Sequence, residues 1–408
     1  MEVIADLQIH SKYARATSKN ISIENLEKWA RIKGLDLLGV GDFQHPLRRK
    51  EIDEKLTEDE HGILRTSSNS GVAFLWQTEV SLMYSQDGKR RAVHLLVFAP
   101  NTNIANKITE FLGSKGRLDY DGRPIFGMSA VELVRELKKI DDKIEIIPAH
   151  CMTPWFGLFG SKSGFDSLKD CFQDETDKIY AIESGMSADP AMLWRLEEVA
   201  GGKVNVVSFS DAHSFWPWRM GREATIFGIP ELTYENIIKA IRTGIGLKAT
   251  IETPPEYGKY HWDGHRNCDF SCGPEKTREL NGICPVCKKP MIIGVEYRID
   301  EIAKYPLGFE AKNSRIYYKL LPLHEVIALA TGNGMNTTKV WSVYNSLIME
   351  FGNEFNLLLK VPKEKIAKFS DEKLADLILK NREGKIKVKP GYDGEYGVAQ
   401  IGEKQVTL

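Results

Sequence analysis

The chain has 408 residues, 42% of them hydrophobic and 27% charged, with a formal net charge of −1 at pH 7. That length exceeds one ordinary core and points to two or three domains, and the apolar content excludes a disordered chain. Near-zero charge gives no global pull toward nucleic acid or an anionic membrane, so any such affinity must come from a local basic surface.

No segment approaches eighteen consecutive apolar residues, and the start, MEVIADLQIHSK, lacks the basic and apolar blocks of a signal peptide. A cytoplasmic protein is expected. The first apolar segment, Met1 to Leu7, is broken by Asp6 and followed by Gln8 and His10. Ser22 to Arg31 has helical spacing, with Ser22 as N-cap and Gly34 just past the end. Leu35 to Val40 is the next strand and runs into Gly41, Asp42 and His45.

Val72 to Met83 and Arg91 to Ala99 are β-rich runs around a turn at Asp87-Gly88, and they carry Glu79 and His94. Ser129 to Lys139 reads as a helix with a capping box, Ser129 and Glu132, ahead of the strand Ile144 to Ile147, which runs into Pro148 and His150. Trp194 to Val199 is expected to be the helix before the strand of VNVVSFSDAHS (204–214), which stops at Asp211 and His213, and Thr233 to Arg242 the helix after it. The repeated strand, helix, strand rhythm argues for α/β architecture, with a first domain over residues 1–250.

Residues 251–260, IETPPEYGKY, have the prolines and glycine of a linker. Cys268, Cys272, Cys284 and Cys287 follow within a module over 255–297. Two sulfur pairs at this spacing, in a chain without an export signal, suit the four corners of a structural zinc tetrahedron, while Cys151 and Cys171 stand alone. Leu323 to Thr331, Thr337 to Phe351 and Ser370 to Asn381 have helical spacing, so 298–395 is expected to be a mainly helical domain, and the Gly-rich 391–408 irregular. Lys360 to Lys389 holds ten Lys or Arg against five Asp or Glu, a local excess able to grip phosphates; a solvated helical face is the rival reading.

Four apolar runs spread over two hundred residues thus end in His with or without Asp. In folds built around parallel strands, side chains at carboxyl ends of strands meet across the sheet. His10, Asp42, His45, Glu79, His94, His150, Asp211 and His213 are nitrogen and oxygen donors that suit zinc, manganese or iron with water positions open. Two such metals about 4 Å apart can hold both the attacking and the leaving oxygen of a phosphoryl displacement, so phosphate-ester hydrolysis is the expected chemistry.

Asp6-Leu-Gln-Ile-His10, Gly41-Asp42, Glu79, His94, Pro148-Ala-His150 and Ser210-Asp211-Ala-His213 resemble, in order and spacing, the motifs of the polymerase and histidinol phosphatase (PHP) superfamily. The resemblance implies a distorted (β/α)7 barrel with a multinuclear metal cleft, in which Asp211, His213, Glu79 and Gln8 would serve catalysis. The first motif usually reads His-x-His, and here Gln8 holds the first position. Four further blocks, Gly41-Asp-Phe-Gln-His-Pro46, Pro148 to Gly157, Glu183-Ser-Gly-Met-Ser-Ala-Asp-Pro190 and Pro390 to Gly397, together with the cysteines, resemble the endonuclease Q family of archaea and some bacteria. That implies a nick 5′ of a deaminated base (uracil, hypoxanthine, xanthine) or abasic site in damaged DNA, with zinc in the cysteine module and Zn2+, Mg2+ or Mn2+ in the cleft.

Inspecting one altered base means taking it out of the stack, which calls for aromatic walls and a few polar groups. Trp155 and Phe156 follow His150, and Trp216 and Trp218 follow His213, so they are candidates for the substrate face with Glu183 and Asp189 of the third block. Ordinary loop-burying aromatics are the alternative. Two other functions stay open at this level: a small-molecule phosphoesterase on the same barrel, and a DNA-binding adaptor with a degenerate metal site. The segment 396–408 ends in Gln405-Val-Thr-Leu408, the beginning of a sliding-clamp docking motif whose two aromatics would have to follow in a C-terminal extension.

Overall fold

The computed structural model describes residues 1–68, 70–401 and 404–405. Its largest sheet has eight strands, ordered Ile316–Lys319, Leu247–Glu252, Ala224–Gly228, Glu2–Asp6, Leu37–Gly39, Ala73–Leu75, Leu64–Arg65 and Thr57–Glu58. Glu2–Asp6 runs parallel to Leu37–Gly39, which runs parallel to Ala73–Leu75. Ala181–Glu183 and Asn205–Val207 form a second parallel pair, with Ile182 opposite Val206. The hairpin Gln77–Gln86 with Lys89–Phe98 joins Glu145–Pro148 in a four-stranded sheet, and its turn uses Asp87 and Gly88 at φ of 52° and 73°. Two consecutive left-handed residues are what a tight hairpin turn demands.

Alternate residues of these strands point to one place. Val3, Ala5, Leu7, Leu37, Leu75, Leu96, Ile147, Ala181, Val207 and Phe227 share a single buried cluster, as expected where strands wrap around a common core. Among the described residues the ladders divide into separate sheets rather than one closed ring. The fold is mixed α/β, as the strand and helix rhythm predicts.

Helices form where their caps predict. Ser22 accepts from Asn25 N at the start of Ile23–Lys33, and Gly34 closes it at φ 96°. Ser129 likewise caps Ala130–Ile140, whose buried face is Val131, Leu133, Val134 and Leu137. Such caps contribute about 1 kcal/mol each. The helix expected over 194–199 is instead two single turns, Pro190–Leu193 and Glu197–Ala200.

Two segments are more ordered than their composition suggests. Residues 251–260 are no free linker: the strand runs to Glu252 and pairs with Ile316–Lys319, and Tyr257 is buried. The first sheet therefore takes its edge strand from beyond the expected boundary at residue 250. The Gly-rich block after Pro390 is also fixed. Gly391 N donates to Glu256 O (2.8 Å), Gly397 N to Tyr257 O (3.0 Å) and Tyr392 Oη to Asp269 Oδ1 (2.8 Å). A Cβ at Gly397 would sit 2.2 Å from Glu256 O, so only glycine permits this approach. Lys387–Lys389 and Val398–Ile401 then pair antiparallel. Residues 406–408, and with them the clamp reading of the tail, lie outside the described residues.

No helix among the described residues is long and apolar enough to cross a membrane. Of the ten cations in 360–389, five are engaged: Lys360 with Glu2, Lys363 with Glu372 and Asp376, Lys385 with Glu383, and Lys373 and Arg382 on backbone carbonyls.

Candidate active site

Strand ends deliver the donors. His10 follows Glu2–Asp6 through a bridge of Ile9 to Ala212, and His10 N donates to Ala212 O at 3.0 Å, so the first and last motifs are stitched together by backbone. Asp6 reinforces the stitch, accepting from Ser210 N (2.9 Å) and Gly221 N (2.8 Å). Asp42, His150 and Asp211 all adopt left-handed backbone, at φ 52°, 31° and 48°. Non-glycine residues rarely pay that strain, of order 1 kcal/mol or more, and they concentrate at functional sites.

Two triads result. Donor atoms of His10, Asp211 and His213 lie within 4.8 Å of one another, and so do those of Glu79, His94 and His150. His10 Nε2 is 3.0 Å from Glu79 Oε2 and 3.1 Å from Asp211 Oδ1, so Glu79 bridges the triads. His94 Nδ1 is 3.2 Å from His150 Nε2. Such close packing of six titratable donors is of the kind that a divalent cation would hold together. Gln8 Oε1, fully buried with no partner, is the orphaned acceptor expected beside one. Its Nε2 donates to Glu79 Oε2 at 2.9 Å.

The other expected donors stand behind or beside the triads. Asp42 Oδ1 sits 3.0 Å from His10 Nδ1, and its Oδ2 accepts from Ser11 N, the place of a carboxylate that orients a ligand histidine rather than a ligand itself. His45 is turned away: its Nδ1 accepts from Leu47 N at a helix start, and its ring stacks on Tyr13 at 4.6 Å. A capping role keeps it out of both donor groups.

Charge follows the geometry. Burial opposes protonation of His10, but Asp42, Asp211 and Glu79 outweigh it and raise its pKa well above the ordinary value. Burial likewise opposes the charged form of Glu79, yet His94, Arg123 and His10 hold its pKa well below the carboxylate range. For His94 burial wins, assisted by Arg123 and His150 against Glu79, and its pKa falls to about 4. A neutral imidazole has the lone pair a metal needs.

The triads open into a cleft of about 540 Å³ walled by Trp155, Phe156, Arg219, Arg222, Tyr260 and Tyr396. Phe156 lies tilted against His94 at 4.4 Å, and Trp155, 40% exposed, meets Tyr260 edge-on at 5.5 Å. The remaining substrate candidates point elsewhere. Trp216 and Trp218 stack on each other at 5.3 Å and pack on Trp341, because the loop after His213 turns toward the C-terminal helices. Glu183 is fully buried and accepts from His150 N at 2.5 Å, fixing the left-handed turn there. Asp189 caps a helical turn through Met192 N and pairs with Lys319 at 2.7 Å.

In the cysteine module, His265, Cys268, Cys284 and Cys287 converge within 4.8 Å. His265 Nδ1 lies 3.1 Å from Cys268 Sγ and 3.4 Å from Cys287 Sγ. Cys272 is not in the group. It sits opposite Asp263 in the hairpin, two residues along from His265, and its thiol meets Thr277 Oγ1 at 3.3 Å. The converging set is one histidine and three cysteines in place of four cysteines, a donor type that would suit a closed tetrahedral metal site. Desolvation raises the Cys284 pKa, but backbone N–H groups of Cys287 and Val286 outweigh it and favour the thiolate. The missed signal was spacing: His265-x-x-Cys268 matches Cys284-x-x-Cys287.

Comparison with known proteins agrees with this geometry. Residues 322–385 match the family model described as the MJ0043 C-terminal domain. The Methanocaldococcus jannaschii protein MJ0043 is 34% identical over 262 residues, 63% of this chain but 32% of that protein, so the chain spans about a third of that relative. The crystal structure of the lesion-specific endonuclease PfuEndoQ from Pyrococcus furiosus is similar at a TM-score of 0.88 and 33% identity, covering 99% of this chain and 96% of that one. The chain belongs to the endonuclease Q family. A second endonuclease Q structure, in complex with a 27-mer duplex carrying an abasic lesion at the active site, is equally similar: TM-score 0.88, 33% identity, 99% of this chain and 97% of that one. Within the endonuclease Q frame, the features that sequence alone did not single out are Arg123, 3.5 Å from Glu79, and the cationic wall with Tyr396.

Proposed function

We propose that this chain is a metal-dependent DNA repair endonuclease that hydrolyses the phosphodiester 5′ of deaminated bases (uracil, hypoxanthine, xanthine) and abasic sites. The observation that carries the reading is the pair of donor triads linked by the contact of Glu79 with His10 at the floor of one open cleft. Support for DNA as substrate comes from the full-length likeness to an endonuclease Q bound to an abasic duplex.

The donors fit divalent ions, Zn2+ or Mg2+/Mn2+, in the cleft, and Zn2+ in the HisCys3 module. Bound there, cleft ions would supply Lewis acidity and a nucleophile at neutral pH. The chain's own residues set the geometry. Asp42 holds the Nδ1 edge of His10 so that Nε2 faces Glu79 and Asp211, and Thr153 Oγ1, 3.0 Å from His150 Nδ1, turns the other ring edge inward. Gln8 fixes the Glu79 carboxylate from the side, and Arg123 offsets its charge. Trp155 and Tyr260 at the rim are placed to flank a base drawn out of the stack.

The test compares a duplex oligonucleotide carrying one abasic site with a chromogenic phosphate monoester. Nicking on the 5′ side of the lesion without monoester turnover is expected. Monoester turnover without nicking would replace the reading by a small-molecule phosphoesterase, and binding without either would leave an adaptor.

A further inference from the structure

Beside the metal triads, the cleft wall gathers Arg219, Arg222 and Lys259 around Tyr396. The Arg219 Cζ lies 5.4 Å and the Lys259 Nζ 4.6 Å from the Tyr396 ring centre. Arg222 is anchored through Nε and Nη2 on Ser210 O, at 3.1 and 3.0 Å, one residue before Asp211. Its Nη1 is buried and has no partner. None of the three cations forms an ion pair with a carboxylate among the described residues. The acids behind them do not neutralise them: burial pushes Glu223 up to about 8 and Glu325 up to about 7. Tyr396 senses the excess, since burial would raise its pKa but Arg222, Arg219 and Lys259 outweigh it and lower it.

Three like charges converging on one spot repel, and the Tyr396 ring offsets them only in part, so a bound anion would be favoured there. A neutral base carbonyl cannot offset the rest; a phosphodiester can, and Arg is suited to its oxygens. The anchor of Arg222 on Ser210 ties this wall to the loop of Asp211 and His213.

We infer that Arg219, Arg222 and Lys259, with Tyr396, form a second anion site that holds a phosphodiester next to the one presented to the metal triads. The inference rests on the DNA reading above and names the backbone contact that registers the strand. It assigns the Pro390 to Gly397 block a function: Gly391 and Gly397 pin the loop so that Tyr396 stands among the cations.

The first test is independent of nicking. The metal-loaded protein is titrated calorimetrically with thymidine 3′,5′-bisphosphate and with inorganic phosphate. The bisphosphate should bind about tenfold or more tightly than phosphate, and Arg219→Gln and Lys259→Gln should each erase most of that advantage. Phosphate affinity, unchanged in the same variants, controls for folding. Equal binding of the two ligands by the unmodified protein, or a full advantage in both variants, overturns the site.

The second test uses an abasic duplex with a single neutral methylphosphonate moved along the nicked strand. One position flanking the scissile linkage should slow the unmodified protein about tenfold and Arg219→Gln far less. Equal slowing in both, or no sensitive position, overturns the proposal. A protein that nicks nothing would defeat the endonuclease reading instead, and the bisphosphate titration would still decide the anion site.

Discussion

Lys33 Nζ donates to Glu354 Oε1 at 2.6 Å across 321 residues of sequence, with the two side chains 1% and 0% exposed. The same ammonium donates to Pro217 O at 2.7 Å. Glu354 in turn accepts from Leu323 N and Tyr344 Oη, each at 2.9 Å. One ion pair therefore joins the first helix, the loop after His213 and three C-terminal helices. Removing one partner leaves a buried charge alone, so Glu354→Ala should destabilise the protein by about 3–5 kcal/mol. Urea denaturation checks this, and a loss below about 1 kcal/mol, the scale of an exposed pair, would show that the pair is solvated.

Asp211→Asn keeps shape while removing the carboxylate from the His10 triad. Nicking should fall by about three orders of magnitude or more, with the unfolding midpoint little changed, because only the group facing the cation is altered. Nicking within about tenfold of the parent would take this cleft out of the mechanism.

For the small module, His265→Ala and Cys284→Ser should each abolish tightly bound zinc, whereas Cys272→Ser should retain it. Zinc content by atomic spectrometry decides. Retention in His265→Ala with loss in Cys272→Ser would restore four cysteines as the donors.

His324 supplies a pH dependence. It is fully buried, its two ring nitrogens have no partner, and its ring lies 4.2 Å from Trp341 and 4.0 Å from Tyr344. Burial, with Lys33 nearby, lowers its pKa to about 3. A depressed histidine pKa means that the folded state binds fewer protons than the unfolded one below the ordinary value of 6.5. Its contribution is complete above pH 6.5 and is lost as pH falls toward 3, by at most about 1.4 kcal/mol per pH unit. His324→Phe should flatten the stability profile over that window; an unchanged slope between pH 6 and pH 4 would place the acid sensitivity elsewhere.

Much of the site is legible because period and position carry it. Strand ends at Gln8-Ile-His10, Pro148-Ala-His150 and Ser210-Asp-Ala-His213 can be read from apolar runs that stop, and the caps at Ser22, Ser129 and Gly34 from residue type. What sequence does not specify is direction. Asp42 and His45 sit three residues apart on one loop, yet one backs His10 and the other caps a helix. Trp216 and Trp218 adjoin His213 in sequence, but the turn at Pro217 sends them into the C-terminal helices. His265 stands outside a pattern of thiols alone, although His265-x-x-Cys268 repeats Cys284-x-x-Cys287, and the hairpin register sets Cys272 opposite Asp263 rather than in the group.

The aromatic junction changes what it means to divide this chain. Trp29 from the first helix, Trp216 and Trp218 from the ligand loop, and Trp341 from the C-terminal helices form one continuous stack of edges and faces. Cutting the polypeptide near residue 250 would not separate two finished modules. It would expose three tryptophans and strand the Lys33 ammonium in an apolar wall, so a fragment carrying both donor triads of the cleft would be expected to aggregate. The metal-donor region and the C-terminal helices share one interior, which makes the protein a poor source of interchangeable pieces and ties any change in the helical region to the loop that carries Asp211 and His213.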